Sequence, residues 1–478
     1  MGRRGSHAMQ PLSGADAQFL YAETRTQHYH TIKALVIDPA DSRQPLDFET
    51  FKKQFAGFSG VVPVFHWQLV LAPLNLAHPF WSWREELDLD YHIRRAAVLS
   101  PGGEREFCEV ISEIASTGLE RDRPLFQTWW VEGLAGGRLA YVVKLHHALA
   151  DGLSSAQLLL DATQEGPDDD LRPPALRVEG PEPLSTRARQ LVESLRFDVQ
   201  LALGTPRFVA RLLRFVAIGS WRALARKGRP ASPYSAPITR FNQVLTPHRW
   251  FANVDLPMAE LKRVRRVFGC TLNDVYVAVC AGAIRRYLEL RGELPELSLT
   301  AALPVSIRTP EQQRTYGNRL SSWFVSIATD LADPVERLQA IQRNTRAARE
   351  SWEVKDRHLQ HDAMEYGYLY RGWMRLATAL GRRFSGRPTF NVVISNVRGT
   401  PVPLYTAGTR IESMYPMSGL VPGQGLNLTV ISYMGRMDFG FAVDPDLVPD
   451  AWELAEGIPR AFADLQAAAQ VERGTAGE

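Results

Sequence analysis

The sequence predicts a two-domain α/β protein, with α+β layers in each domain and a site between them. Three observations carry this expectation. Residues 9–163 mix strand-like and helix-like stretches, and residues 245–468 repeat that texture. Between them, residues 165–183 hold five prolines and the acidic run Asp168-Asp169-Asp170, the composition of a solvated linker. Two halves of similar size joined in this way suggest a pseudo-symmetric pair, and pockets form preferentially at such interfaces.

In chain order, residues 31–37 are apolar and β-rich, and 107–116 place Phe107, Val110, Ile111 and Ile114 on one helical side. Residues 138–145 read as a strand and 153–160 as a helix. Past the linker, 184–204 and 206–227 read as two helices and 229–237 as a loop. In the second half, Leu272, Val275, Val279, Ala283, Tyr287 and Leu288 recur at helical spacing within 271–290. Thr271 and Asp274 form a capping-box pattern at its start. Residues 300–305, 320–328 and 390–395 read as strands, and 426–433 with 437–443 as a hairpin around Gly435. The expected division is 1–8 an expression scar containing Gly5-Ser6-His7, 9–164 the first domain, 165–236 linker and helical crossover, 237–470 the second domain, and 471–478 a tail.

Composition narrows the function. The 478 residues carry 55 Lys+Arg and 52 Asp+Glu, so the net charge of +3 gives no case for nucleic acid. Cys108, Cys270 and Cys280 are scattered and odd in number, which fits reduced thiols rather than disulfides or a zinc site. No stretch reaches the ~18 apolar residues of a membrane span, and nothing resembles a signal peptide; a cytoplasmic location is expected. Gly57-Phe58-Ser59-Gly60 falls short of a serine nucleophile elbow, and no phosphate-binding glycine loop lies between a strand and a helix. His28-Tyr29-His30 offers two metal-binding side chains without a third in view, so it reads as local packing and no metal is expected.

The chemistry concentrates in His146-His147-Ala148-Leu149-Ala150-Asp151-Gly152. Adjacent strand residues face opposite sides, so one imidazole can face a cavity while the other packs inward. An imidazole of pKa ~6.5 suits proton abstraction from an alcohol near neutral pH. Gly152 permits a tight turn into the next helix, and Asp151 can accept an ion pair that fixes it.

This segment resembles the HHxxxDG signature of CoA-dependent acyltransferases. Further segments resemble the bacterial wax ester synthase/diacylglycerol acyltransferase branch: Leu12-Ser13-Gly14-Ala15-Asp16, Asp122-Arg123-Pro124-Leu125-Phe126, Asn273-Asp274, Pro304-Val305-Ser306-Ile307-Arg308, Gly317-Asn318-Arg319, Ser395-Asn396-Val397-Arg398-Gly399 and Asp438-Phe439-Gly440. The likeness runs from about residue 11 to 455. It implies two chloramphenicol-acetyltransferase-like domains with a tunnel at their interface. It also implies transfer of a long-chain acyl group from acyl-CoA to a long-chain alcohol or a diacylglycerol, without a bound cofactor or covalent intermediate. Carried over by position, His147 is the general base, His146 its companion and Asp151 a structural partner of Arg308. Asn273 is the candidate oxyanion donor. Pro124, Leu125, Phe126, Asp274, Ser395 and Asn396 are candidate substrate contacts, with Phe126 standing where the family has tryptophan. Carrier-protein-bound donors, and a non-catalytic coat on lipid inclusions, are the alternatives.

Residues 207–229 carry Arg207, Arg211, Arg214, Arg222, Arg226, Lys227 and Arg229 and no acid. Interleaved with Phe208, Leu212, Phe215, Val216 and Trp221, they form a basic amphipathic stretch, suited to a peripheral membrane or lipid-droplet surface or to packing on the protein itself.

Overall fold

In the computed structural model, the described residues are 11–42, 46–59, 62–168, 186–224, 234–308, 317–354, 359–366, 386–406 and 408–476. The first half runs α1 (Gly14–Ala22), β1 (His30–Ile37), α2 (Phe48–Ser59), β2 (Trp67–Val70), β3 (Phe80–Trp83), α3 (Leu89–His92), β4 (Ile93–Ala97), α4 (Glu104–Ser116), β5 (Phe126–Glu132), β6 (Leu139–His146) and α5 (Gly152–Asp161). The crossover helix α6 (Arg187–Leu224) follows. The second half runs β7 (Trp250–Pro257), α7 (Met258–Val267), α8 (Leu272–Glu289), β8 (Thr300–Ser306), β9 (Leu320–Ser326), α9 (Pro334–Val354), α10 (Leu359–Glu365), β10 (Val392–Val397), β11 (Tyr405–Thr406), β12 (Thr409–Ser418), β13 (Leu426–Tyr433), β14 (Arg436–Val443), α11 (Ala451–Ala455) and α12 (Gly457–Ala476).

Among the described residues these strands form two six-stranded sheets, ordered β11-β12-β1-β6-β5-β4 and β7-β14-β13-β10-β8-β9, and a separate β2-β3 pair. The first sheet is antiparallel except at β4/β5; the second is parallel at β10/β13 and β10/β8. Its β13–β14 hairpin turns through Met434 and Gly435, at φ 43° and 81°. Two central residues of positive φ are what a two-residue hairpin loop requires.

The two halves exchange strands, and one expected break in the crossover is absent. The halves do not each close their own sheet: β11 and β12, from the second half, complete the first sheet through β12 against β1. Every residue of β1 is buried, so both its edges need partners, and β6 supplies only one. The exchange brings β12 across β14 so closely that a Cβ at Gly440 would lie 1.8 Å from the Pro416 carbonyl oxygen. In the crossover, 184–204 and 206–227 are not two helices. One helix continues through Pro206, which removes a single ladder bond without ending it.

The second half is built around α8, buried from Asp274 to Ile284 and packed against α7, α9 and α12. Among the described residues no single helix is long and apolar enough to cross a membrane.

Candidate active site

β6 ends on His146, and a tight turn leads to Asp151, whose side chain caps α5 by accepting the Ser154 N–H at 2.9 Å. The pleat separates the two histidines. His146 lies opposite His30 on the face that also carries Lys144, with its backbone N–H held by the Leu125 carbonyl at 2.9 Å. The His146 Nδ1 accepts the Ala148 N–H at 3.1 Å, which puts its proton on Nε2.

The His147 backbone N–H donates to the Tyr29 carbonyl at 2.7 Å, and its ring stacks on Phe19 with centroids 4.2 Å apart. Its Nδ1 lies 3.1 Å from Asn318 Oδ1. The surrounding bonds fix which way Asn318 points. Its Nδ2 donates to the His147 carbonyl and to Asp16 Oδ1, both at 2.8 Å, so Oδ1 is left to accept. Nδ1 of His147 must then carry the proton, and Nε2, without a hydrogen bond among the described residues, presents its lone pair. Burial lowers the His147 pKa below 6.5, against the opposing attraction of Asp151, so the ring is a neutral base at neutral pH.

Asp16 anchors this arrangement from the first turn of α1. It accepts the Asn318 backbone N–H at 2.6 Å and the Ser13 hydroxyl at 2.6 Å, and burial raises its pKa. Neighbouring Gly317 stands at φ 89°, a conformation that favours glycine, beside the Asp16 carboxylate. Asn318 and Asp16 were not assigned roles from sequence. Their only signal was membership of two segments that carry the family resemblance.

Arg308 crosses from the second half. Its Nη1 donates to Asp151 Oδ2, and its Nη2 donates to Ser154 Oγ at 2.6 Å and to the Gly317 carbonyl. The Arg319 N–H also reaches Asp151 Oδ2, at 3.1 Å. Both charged side chains are almost fully buried, at 2% and 3% exposure. Gly152 does not have a positive φ; it begins α5 in ordinary helical backbone, and a Cβ there would make a normal 3.4 Å contact with Val397. Its expected role in a tight turn is therefore not what the structure shows.

The remaining candidates divide. Asp274 is consumed in capping α8: it accepts the Thr271 N–H at 2.9 Å and the Thr345 hydroxyl at 2.7 Å. Asn273 accepts a hydrogen bond from Tyr276, a buried residue missed from sequence although it stands one helical turn away, and Asn396 lies beside the Tyr276 hydroxyl. The Asn273 and Ser395-Asn396 segments are thereby brought together. Phe126 packs inward on Phe65 and His92, with centroids at 4.4 and 4.2 Å, and Leu125 is equally buried. None of Pro124, Leu125, Phe126, Ser395 and Asn396 lines the apolar cavity of the first half, and Phe126 packs in the core.

That cavity, about 370 Å³, lies inside the first half on the Leu145 face of the sheet. Leu35, Phe51, Phe55, Leu158 and Leu159 make it apolar, and Thr406 is its contribution from the second half. Lys33 enters its wall and donates to Ser155 at 2.6 Å; burial lowers its pKa to about 8.

Two mixed α/β halves meeting at an HHxxxDG turn define the architecture of the two-domain acyltransferases. The wax ester synthase/diacylglycerol acyltransferase catalytic domain family matches residues 12–276, and the WS/DGAT C-terminal domain family matches 316–466. The chain belongs to the wax ester synthase/diacylglycerol acyltransferase family and is an acyltransferase. A Mycobacterium tuberculosis (strain CDC 1551 / Oshkosh) relative named as a diacylglycerol O-acyltransferase is 36% identical over 465 residues, covering 96% of this chain and 91% of that one. A second from the same strain is 35% identical over 475 residues, covering 97% and 98%. The solved wax ester synthase/diacylglycerol acyltransferase from Marinobacter aquaeolei VT8 matches at a TM-score of 0.71 and 26% identity, covering 97% of this chain and all of that one. The first condensation domain of the CDA synthetase shares the fold at a TM-score of 0.60 and 15% identity, over 97% of each chain.

Proposed function

We propose that this acyltransferase moves a long-chain fatty acyl group from acyl-CoA to a long-chain alcohol or a diacylglycerol, with His147 as general base. The observation that carries the reading is the His147–Asn318 bond, which leaves Nε2 free to take a proton. In the proposed step, Nε2 removes the acceptor's hydroxyl proton as its oxygen attacks the thioester carbon. The tetrahedral oxyanion then collapses, the C–S bond breaks, and the imidazolium returns the proton to the departing thiolate. The products are an ester and free CoA, and no acyl-enzyme forms. With Oδ1 held by Tyr276, Asn273 retains an amide N–H that suits the oxyanion.

The apolar cavity suits an alkyl chain. Leu158→Trp is expected to fill it and exclude the distal methylenes. At ~0.8 kcal/mol per buried CH₂, losing two or three lowers kcat/KM for palmitoyl-CoA roughly 10- to 50-fold. Octanoyl-CoA should be spared; equal losses for both donors would separate the cavity from the acyl chain.

Helix α6 supports a peripheral lipid-surface role. Val192, Leu195, Val199 and Leu203 recur at helical spacing and are exposed, with exposed Arg196, Arg207 and Arg214 beside them. Of the basic stretch 207–229, side chains beyond Arg214 lie outside the description, as do residues 225–229 entirely.

The reading is tested by free CoA release from palmitoyl-CoA with hexadecanol, with dioleoylglycerol and with neither. Acceptor-dependent release is expected, and the faster acceptor names the main product. No release with either acceptor from folded protein would overturn the lipid-ester reading, leaving carrier-bound donors or the coat role.

A further inference from the structure

Behind the catalytic turn, on the face of the first sheet that carries His146, the chain assembles a cluster the acyl-transfer chemistry does not use. Glu23 ends α1, and the reciprocal Thr24–Gln27 backbone bonds fold the chain back so that His28 returns beside it. His30 then opens β1 opposite His146. One donor atom from each of Glu23, His28 and His30 lies within 4.8 Å of the others. The two-histidine pattern read as packing because its third member sits five residues upstream and is brought in by the turn.

His30 is the independent pointer to a ligand. It is 4% exposed, and among the described residues neither ring nitrogen has a hydrogen-bond partner. One of those nitrogens must carry a proton, and a buried donor left unmade costs about 1–3 kcal/mol. A neutral imidazole has a lone pair on its other nitrogen, and that is the form that binds metals. The ring lies parallel to that of His28, with an interplanar angle of 8° and centroids 5.3 Å apart. Glu23 is prepared on its other side. Arg121 holds Oε2 at 2.6 Å, leaving Oε1 to face His28 Nδ1 at 3.9 Å and His146 Nε2 at 3.6 Å. Since His146 carries its proton on Nε2, it serves as the outer partner that orients the carboxylate. The neighbouring cation, Lys144, is turned away: its Nζ donates to the Ile114 and Thr117 carbonyls and to the Thr117 hydroxyl, at 2.7–2.9 Å. Glu23 and His28 keep side-chain exposures of 10% and 13%, which leaves a path from solvent.

We propose that Glu23, His28 and His30 form a binding site for one divalent transition-metal ion of the Zn²⁺ class, with His146 as the carboxylate's outer partner. Two neutral imidazoles and one carboxylate are borderline donors suited to that ion, and a water completes a four-coordinate set. Ligands bound at ~2.0–2.1 Å sit closer together than these atoms do, so binding draws the α1–β1 turn inward against the base of the HHxxxDG turn.

The test uses the full chain, stripped with EDTA, dialysed against ZnCl₂ and passed through gel filtration. Zinc content and Tm are then measured. About one zinc per chain and a raised Tm are expected, because a metal bound to the folded state stabilises it. His28→Ala, a change at the edge of the cluster with no contact to His147, should keep the metal-free Tm and lose both effects. His30→Gln, whose amide can find its own partners, should lose them as well. A wild-type chain that retains no zinc overturns the proposal. So does zinc retained equally by the wild type and His28→Ala, which would mark adventitious binding.

Discussion

Alanine at position 147 is expected to lower kcat/KM for acceptor-dependent CoA release by about 10²–10⁴-fold, the contribution of a positioned general base. The fold should survive, because the His147 side chain gives up one hydrogen bond and one stacking contact, with Asn318 and Phe19. The wild-type pH profile carries the same argument. Burial lowers the His147 pKa, so the base is already neutral at pH 6.5, and the acid limb of kcat/KM should lie below that value. A limb above 6.5 would mean another group controls the rate. Asn318→Ala separates chemistry from architecture in the same assay. It frees the ring to adopt the other neutral tautomer, with Nε2 protonated and useless as a base, and about 10²-fold should be lost. Asp16 keeps the Asn318 backbone N–H and the Ser13 hydroxyl, so its charge is not abandoned. The Asn318 acceptor also raises the His147 pKa, so the variant's acid limb should move lower still. A rate loss with an unmoved limb would reduce Asn318 to a packing role.

What was legible in the sequence was local. The capping box of Thr271 and Asp274, the hairpin at Gly435 and the His146/His147 alternation depend on residues a few positions apart, and the structure shows each of them. What was illegible was long-range. Nothing in residues 405–418 says that they pair with β1 rather than with their own half, since alternation specifies a face and not a neighbour. Asn318 is 171 residues from His147, and its amide acquires a meaning only when Gly317 turns it between Asp16 and the His147 ring. Glu23 is close to His28 in sequence, yet its approach depends on where α1 stops. Pro206 misled in the opposite direction: a strong local breaker was overruled within a helix that holds on either side of it.

Replacing Arg308 by methionine should destabilise the protein by about 3–5 kcal/mol, read as a large fall in Tm, because it strands the Asp151 carboxylate. That carboxylate is 3% exposed, and among the described residues the backbone N–H groups of Ser154 and Arg319 would be left to hold it. The size of the loss alone does not measure the ion pair, since most of it is the cost of a buried charge without its partner. The double variant Asp151→Asn/Arg308→Met makes the distinction. Asn can still accept the Ser154 N–H and cap α5, but it carries no charge to strand, so the double variant should be markedly more stable than Arg308→Met alone. Stability recovered in this way should not bring activity back with it. Arg308 also holds the Gly317 carbonyl and Ser154, so it seats the 317–319 segment against the HHxxxDG turn. Without it, Asn318 loses its fixed place beside His147, and kcat should stay depressed in the double variant. Recovery of both stability and kcat would instead confine the pair to holding the two halves together.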